Sequence, residues 1–151
     1  MLLAEQPFPF LALIATETRR SVGIVGEQIA ARMFEEAGYG VVPCRNRSRR
    51  GDLLVIDQHT GEIFRVEVKT ARLAKDNRYH FTLVKSGRTD YHDAQFVLLL
   101  ALSPTGYPVP FLIPVADIPA RRSIQFYGLP DTYSGKWSSY RVRGSLVLEG
   151  N

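Results

Sequence analysis

Two β-favouring runs separated by a short polar break constrain this chain more than any other feature. They are Leu53-Leu54-Val55-Ile56 and Ile63-Phe64-Arg65-Val66-Glu67-Val68-Lys69. Branched aliphatic residues dominate both runs and suit a pleated, half-buried surface. Gln58-His59-Thr60-Gly61 between them reads as a turn, so the pair predicts an antiparallel hairpin. A loop of those four residues sets Asp57 opposite Glu62 and therefore Asp52 opposite Glu67. A loop of His59-Thr60 alone gives the same register, whereas an odd loop slips it by one residue. In the even register the two carboxylates are direct cross-strand neighbours, with Cβ atoms about 5 Å apart.

Side chains alternate along a strand, so Arg65, Glu67 and Lys69 share one face. Phe64, Val66 and Val68 share the other, which reads as the core side. Two carboxylates opposed across a ladder destabilise it unless something neutralises them. A hard cation with oxygen ligands does so, and Mg2+ is typically held by one or two carboxylates plus substrate phosphate. A solvated strand face accounts for Glu67 and Lys69 taken alone. With Asp52 opposite, a cation site is the better account.

From Ser21 the pattern turns helical. Val22, Val25, Ile29, Met33 and Ala37 recur at spacings of three and four, and Gly38 ends the run as a C-cap. Gly23 and Gly26 are costly in a helix, so they predict a close approach to another backbone or to a ligand. Glu27 falls at the border of the apolar stripe, where spacing alone allows either a solvated carboxylate or one facing a site. Tyr39 to Cys44 reads as a strand. Arg45, Arg47, Arg49 and Arg50 then lead through Gly51 into Asp52. Such a run is commonly a solvated loop, but beside the proposed cation site phosphate contact is the better reading, because arginine's planar fork suits phosphate.

Further along, Tyr79 to Leu83 alternates as a strand and Gln95 to Leu102 reads as one buried on both faces. Val109 to Val115 reads as its partner, pushed to a sheet edge by Pro110 and Pro114. Val115 to Ile118 predicts a helical turn and Tyr140 to Leu148 a strand. Tyr133, Trp137 and Tyr140 read as packing residues rather than a base-stacking set. Residues 8–15 are apolar but too short to span a bilayer, and no positive charge precedes them, so a packed helical segment is expected rather than a signal peptide.

The composition fits one soluble domain: 151 residues, 45% hydrophobic, 23% charged. A net charge of +4 favours an anionic partner. The single Cys44 excludes an internal disulfide and fits a reducing, cytoplasmic compartment. His59, His80 and His92 are scattered and show no zinc spacing.

The order helix, strand, strand, acid-x-lysine strand, with Gly26-Glu27, Gly51-Asp52 and Glu67-Val68-Lys69, resembles the PD-(D/E)XK nuclease superfamily over roughly residues 21–118. Val66 to Arg72, Tyr91 to Leu100 and Leu112-Ile113-Pro114-Val115 are most similar to its small members, the archaeal-type Holliday junction resolvases and compact intron-homing endonucleases. Gly51 stands where the motif name has proline, a variable position in such enzymes. A RecB-like glutamine-tyrosine pair after the lysine is absent. The resemblance implies an α/β fold with a restriction-endonuclease-like core, a mixed central β-sheet flanked by helices. It implies one nuclease domain over 1–151, with a helical extension at 1–20, a catalytic core at 21–118 and a C-terminal extension at 119–151.

Carried over to these positions, the resemblance implies that Asp52 and Glu67 ligate Mg2+ (or Mn2+), with the Val68 carbonyl as a third protein ligand and Glu27 at the edge of the site. Lys69 would orient or activate the attacking water. Arg45, Arg47, Arg49, Arg50, Arg72, Lys85 and Arg88 would contact nucleic acid. The expected partner is branched or duplex DNA. A homodimer is expected because two strands need two active sites. No membrane partner and no small organic cofactor are expected. Junction resolvase and homing or restriction-type enzyme both remain open, and Arg78, His80, Lys85 and Arg88 suit backbone or base contacts alike. The alternative from another class is a catalytically silent nucleic-acid-binding module.

Overall fold

A computed structural model of the chain describes residues 19–43, 52–85, 88–89, 93–104, 107–119, 123–128 and 133–149. Within these spans the side chains of Arg19, Arg20, Ser21, Asp52, Val84, Lys85, Arg88 and Thr89 lie outside the description. The 1–18 segment, Cys44 and the four arginines of the 45–50 run also lie outside it.

Helix α1 spans Arg19–Glu36. Gly38 ends it with φ +97°, a left-handed conformation that costs glycine nothing. The Gly38 N–H donates to the Glu35 carbonyl at 3.0 Å, and that of Ala37 to the Met33 carbonyl at 3.1 Å, satisfying acceptors the last turn would leave unpaired. The strands are β1 (Tyr39–Pro43), β2 (Asp52–Asp57), β3 (Ile63–Arg72), β4 (Arg78–Thr82), β5 (Val84–Lys85), β6 (Arg88–Thr89), β7 (Phe96–Leu102), β8 (Pro108–Pro114) and β9 (Ser123–Tyr127).

The main sheet runs β1-β2-β3-β7-β8 and is mixed, as expected: β3 and β7 are parallel, the other pairs antiparallel. The β2–β3 hairpin has the predicted register, Asp52 opposite Glu67 and Val55 opposite Phe64. Its turn uses the four-residue loop. Asp57 N–H donates to the Glu62 carbonyl at 2.8 Å, and the Asp57 carboxylate accepts from the His59 and Thr60 N–H groups at 2.8 and 3.2 Å. Every residue of β7 is buried, as a strand packed on both faces requires. β8 lies at the sheet edge, where its three prolines cost fewest ladder bonds. The predicted helical turn is present at Val115–Asp117.

Both faces of the sheet are packed. On one, Val22, Ile29, Ala30 and Phe34 of α1 meet Phe64, Val66, Val68, Leu98 and Leu100. On the other, Ala71, Val97, Leu99 and Phe111 meet an antiparallel ribbon of β4 and β9, joined by Tyr133 and Trp137. A strand buried on both faces and a set of packing aromatics anticipate a second packed layer, but not that a β4–β9 ribbon forms it. β9 is a five-residue strand whose partner lies far upstream, with no local hairpin to announce it. Tyr140 to Leu148 is not a strand. Ser138–Tyr140 forms a 3-10 turn, Arg141 makes an isolated bridge to Phe111, and Leu146 and Leu148 pack into the first core without a ladder. Tyr133 and Trp137 are buried and Tyr140 packs against them, as the packing reading has it. Among the described residues no helix is long and apolar enough to cross a membrane.

The two early glycines of α1 differ. Gly23 has open space around it, whereas a Cβ on Gly26 would collide with the Thr70 side chain, whose own Cβ would lie 2.7 Å away. Helix propensity alone favours Gly26→Ala by about 1 kcal/mol. Overpacking costs about 1–3 kcal/mol, so we expect Gly26→Ala to destabilise and Gly26→Ala/Thr70→Ala to recover part of the loss in denaturant unfolding.

The hairpin turn supplies a pH test. The His59 and Thr60 N–H groups hold the Asp57 carboxyl below its ordinary value of 3.8. A depressed folded value means stability present above the unfolded value and lost as pH falls through the folded one. Wild type is therefore expected to exceed Asp57→Asn in stability at neutral pH. The difference shrinks as pH drops below about 4, read from unfolding midpoints across pH.

Candidate functional site

Strand β3 carries the site. Its centre pairs with β2 on one side and β7 on the other, so Glu67 faces Asp52 in one ladder and Val97 in the other. The face it shares with Ala71 is the one covered by the second core. Glu67 is only 3% exposed, the one buried charged residue among those described. This removes the solvated-face reading. A carboxylate stripped of water is costly unless paired.

Lys69 stands two residues on and therefore on the same face. Its Nζ lies 3.5 Å from Glu67 Oε1, an ion pair too long for a strong hydrogen bond. The Lys69 side chain keeps 23% of its surface exposed, so the ammonium sits between the buried carboxylate and solvent. Burial on one side and an open edge on the other hold a cationic donor in a fixed place while leaving it room to meet a second ligand.

Asp52 and Glu67 supply two carboxylates across the ladder, and Arg65 and Lys69 stand on the same face of β3 as Glu67. Two facing carboxylates form an all-oxygen donor set that suits a hard divalent cation. The Asp52 part of this set rests on main-chain register, since its side chain lies outside the description. Among the described residues no three His, Cys, Asp or Glu side chains gather as a metal cluster.

The other predicted residues are distributed as follows. Val68 packs its side chain into the first core. Glu27 is half-buried on α1, the helix that covers the Val66 and Val68 face of β3. The Gly26–Thr70 contact sets the adjoining turn of α1 over the second half of β3. Arg72 ends β3 and is half-buried. Arg45, Arg47, Arg49 and Arg50, and the side chains of Lys85 and Arg88, lie outside the described residues. The main chains of Lys85 and Arg88 pair in the short β5–β6 ribbon.

Arg78 and His80 stand on β4 with partners the sequence reading lacks. Arg78 Nη1 donates to Gln125 Oε1 at 3.3 Å, Nη2 donates to the Tyr127 hydroxyl, and the guanidinium lies 4.5 Å from the Tyr127 ring centroid. His80 Nε2 is 2.8 Å from Asp76 Oδ2. Partial desolvation pushes the Asp76 carboxyl up, but His80 and the Arg78 main-chain N–H outweigh it and hold the group below 3.8. Gln95 is also missed as a positioning residue. Its side-chain oxygen accepts from the Arg65 N–H and its own N–H donates to the Arg65 carbonyl at 2.9 Å, tying the start of β7 to β3. Its place at the polar head of an apolar run was the available signal.

No protein-family model matches the chain, and no curated protein does. Comparison with solved structures finds a bacterial homing endonuclease, I-Ssp6803I, 19% identical in sequence. The two superpose with a TM-score of 0.61, covering 82% of this chain and 87% of that one. At this identity the likeness establishes a shared fold.

If two carboxylates oppose each other across β2 and β3, removing one relieves repulsion. Asp52→Asn is expected to raise stability in EDTA by about 0.2–1 kcal/mol. Excess Mg2+ should stabilise wild type and leave the variant nearly unchanged. Loss of stability in EDTA would show that the pair is not repulsive.

Proposed function

We propose that this chain is a metal-dependent DNA endonuclease of the homing or restriction type and a PD-(D/E)XK enzyme. The observation that carries the reading is the buried Glu67, ion-paired to Lys69 and set opposite Asp52 on a fold shared with a homing endonuclease. Burying an acid beside a second acid is costly, and such arrangements concentrate at functional sites.

Asp52, Glu67 and the Val68 carbonyl would hold Mg2+ or Mn2+, with Glu27 at the edge of the site, directly or through water. When bound, the ion supplies Lewis-acid stabilisation of the phosphate and a water of lowered pKa. The chain's own contribution is positional. Glu67 fixes the Lys69 ammonium at the solvent edge, where its three donors orient an attacking water against a phosphodiester and balance charge that develops on the phosphate oxygens. The arginines at 45, 47, 49 and 50 would hold neighbouring phosphates. The functional unit would be a homodimer, one active site for each strand.

The test offers purified protein supercoiled plasmid, linear duplex and a four-way junction, each with Mg2+ and with EDTA. Cleavage should require metal and fall on the order of 100-fold or more in Lys69→Ala. Preference for the junction would move the assignment to a resolvase. Binding of all three without cleavage in Mg2+ or Mn2+ would leave a silent nucleic-acid-binding module instead.

A further inference from the structure

We infer that the outward face of the β4–β9 ribbon is the base-reading element of this protein and enters the DNA major groove. The inference rests on the DNA-endonuclease reading above. It assigns specificity to residues on a surface separate from the Glu67–Lys69 pair.

The ribbon has two chemically opposite faces. Tyr79, Phe81, Ile124 and Phe126 point inward and are almost wholly buried. Phe126 stacks on Phe111 of β8 with centroids 4.1 Å apart, and Phe81 meets Phe126 edge-on at 6.1 Å. The alternate residues, Arg78, His80, Thr82, Ser123, Gln125 and Tyr127, point outward, and each carries a hydrogen-bonding group. Neither strand contains a carboxylate. The nearby acid, Asp76, is engaged by His80 and by the Arg78 N–H. Tyr127 is 48% exposed and, with Arg78 lying against its ring, adds an aromatic edge to this polar face.

Size and chemistry both fit a groove. Five paired residues span about 17 Å at roughly 3.3 Å each. A two-stranded ribbon enters a major groove about 12 Å wide. Arginine pairs bidentately with guanine and glutamine with adenine. Arg78 and Gln125 are linked across the ribbon, so each restrains the other before DNA arrives, lowering the ordering entropy of binding. The aromatic underside seats the ribbon on the sheet face that also presents Glu67 and Lys69. A reader fixed on the platform that carries the cutting residues sets the distance from recognised base to cleaved bond.

The test separates this inference from the activity. Full-length wild type, Gln125→Ala and Arg78→Ala are each used to select from a randomised duplex pool in EDTA. Affinities for the enriched duplex and for an unselected duplex follow, with thermal melts to confirm folding. Wild type should enrich a defined sequence. Each variant should lose about ten- to a hundredfold in affinity for it, relax preference at one or two base pairs, and keep wild-type affinity and salt dependence on the unselected duplex. Variants that enrich the wild-type sequence with unchanged affinity overturn the inference, as does a wild type that binds duplex but enriches nothing. Enrichment dependent on the ribbon but without cleavage in Mg2+ would uphold the inference and remove the endonuclease reading. A wild type that binds no duplex overturns the inference, while cleavage in Mg2+ decides the endonuclease reading separately.

Discussion

The structure depends on how it keeps a carboxylate at position 67. Glu67 sits at the middle of a strand bonded on both sides and packed on both faces. An apolar residue of similar size would fill the position at lower free-energy cost, since buried ion pairs often stabilise less than well-packed hydrophobic replacements. The compensation is local: the strand period places Lys69 on the same face, and its ammonium reaches back to 3.5 Å. Arg65 shares that face as well, and the ladder brings a second acid opposite. A chain that retains this arrangement gives up stability in exchange for a pre-set charge distribution, the trade seen where function needs a strained site.

Holding that charge in place requires β3 to be immobile, and each neighbour contributes differently. β2 fixes the register through a four-residue turn whose geometry Asp57 sets with two accepted hydrogen bonds. β7 is tied in at its start by Gln95. α1 comes so close at Gly26 that no side chain fits between helix and Thr70, one residue beyond Lys69. The ribbon clamps the opposite face through Phe126, which stacks on Phe111 of β8 and meets Phe81 edge-on. Interiors packed at this density transmit small displacements rather than absorbing them, so a shift in α1 or the ribbon reaches β3 directly.

Much of this was legible in the sequence, for identifiable reasons. The hairpin register follows from the period-2 side-chain rule and an even loop, both local. The helix stop at Gly38, the doubly buried β7 and the proline-rich edge strand β8 each carry a local signal as well. The second core does not, because its ribbon pairs β4 with a strand far along the chain, and five residues alternating in polarity say nothing about their partner. The segment from Tyr140 to Leu148 shows the converse error. Alternating positions such as Leu146 and Leu148 are indeed buried, yet the backbone finds only one bridge. Alternation reports which side chains go inward, not whether a ladder forms. At the site, the Glu67–Lys69 pairing was predictable from spacing, whereas the depth of Glu67's burial was not, because the apolar alternation marks only the Phe64, Val66 and Val68 face as the core side.

The second core changes what the site means. With a solvated face beside it, the acid-x-lysine pair would be a flexible group of charges, screened by water and worth little. Beneath a packed aromatic layer the same residues act in a lower effective dielectric, where interactions with an incoming anion or cation strengthen. The underside of the β4–β9 ribbon packs on this face of the sheet, and the ribbon's outer face carries Arg78 and Gln125. One supersecondary unit therefore packs on the sheet face that carries Glu67 and presents a polar surface to solvent. Substitutions on its inner face should act through stability and the charge environment of β3 together, whereas those on its outer face are mechanically separated from both.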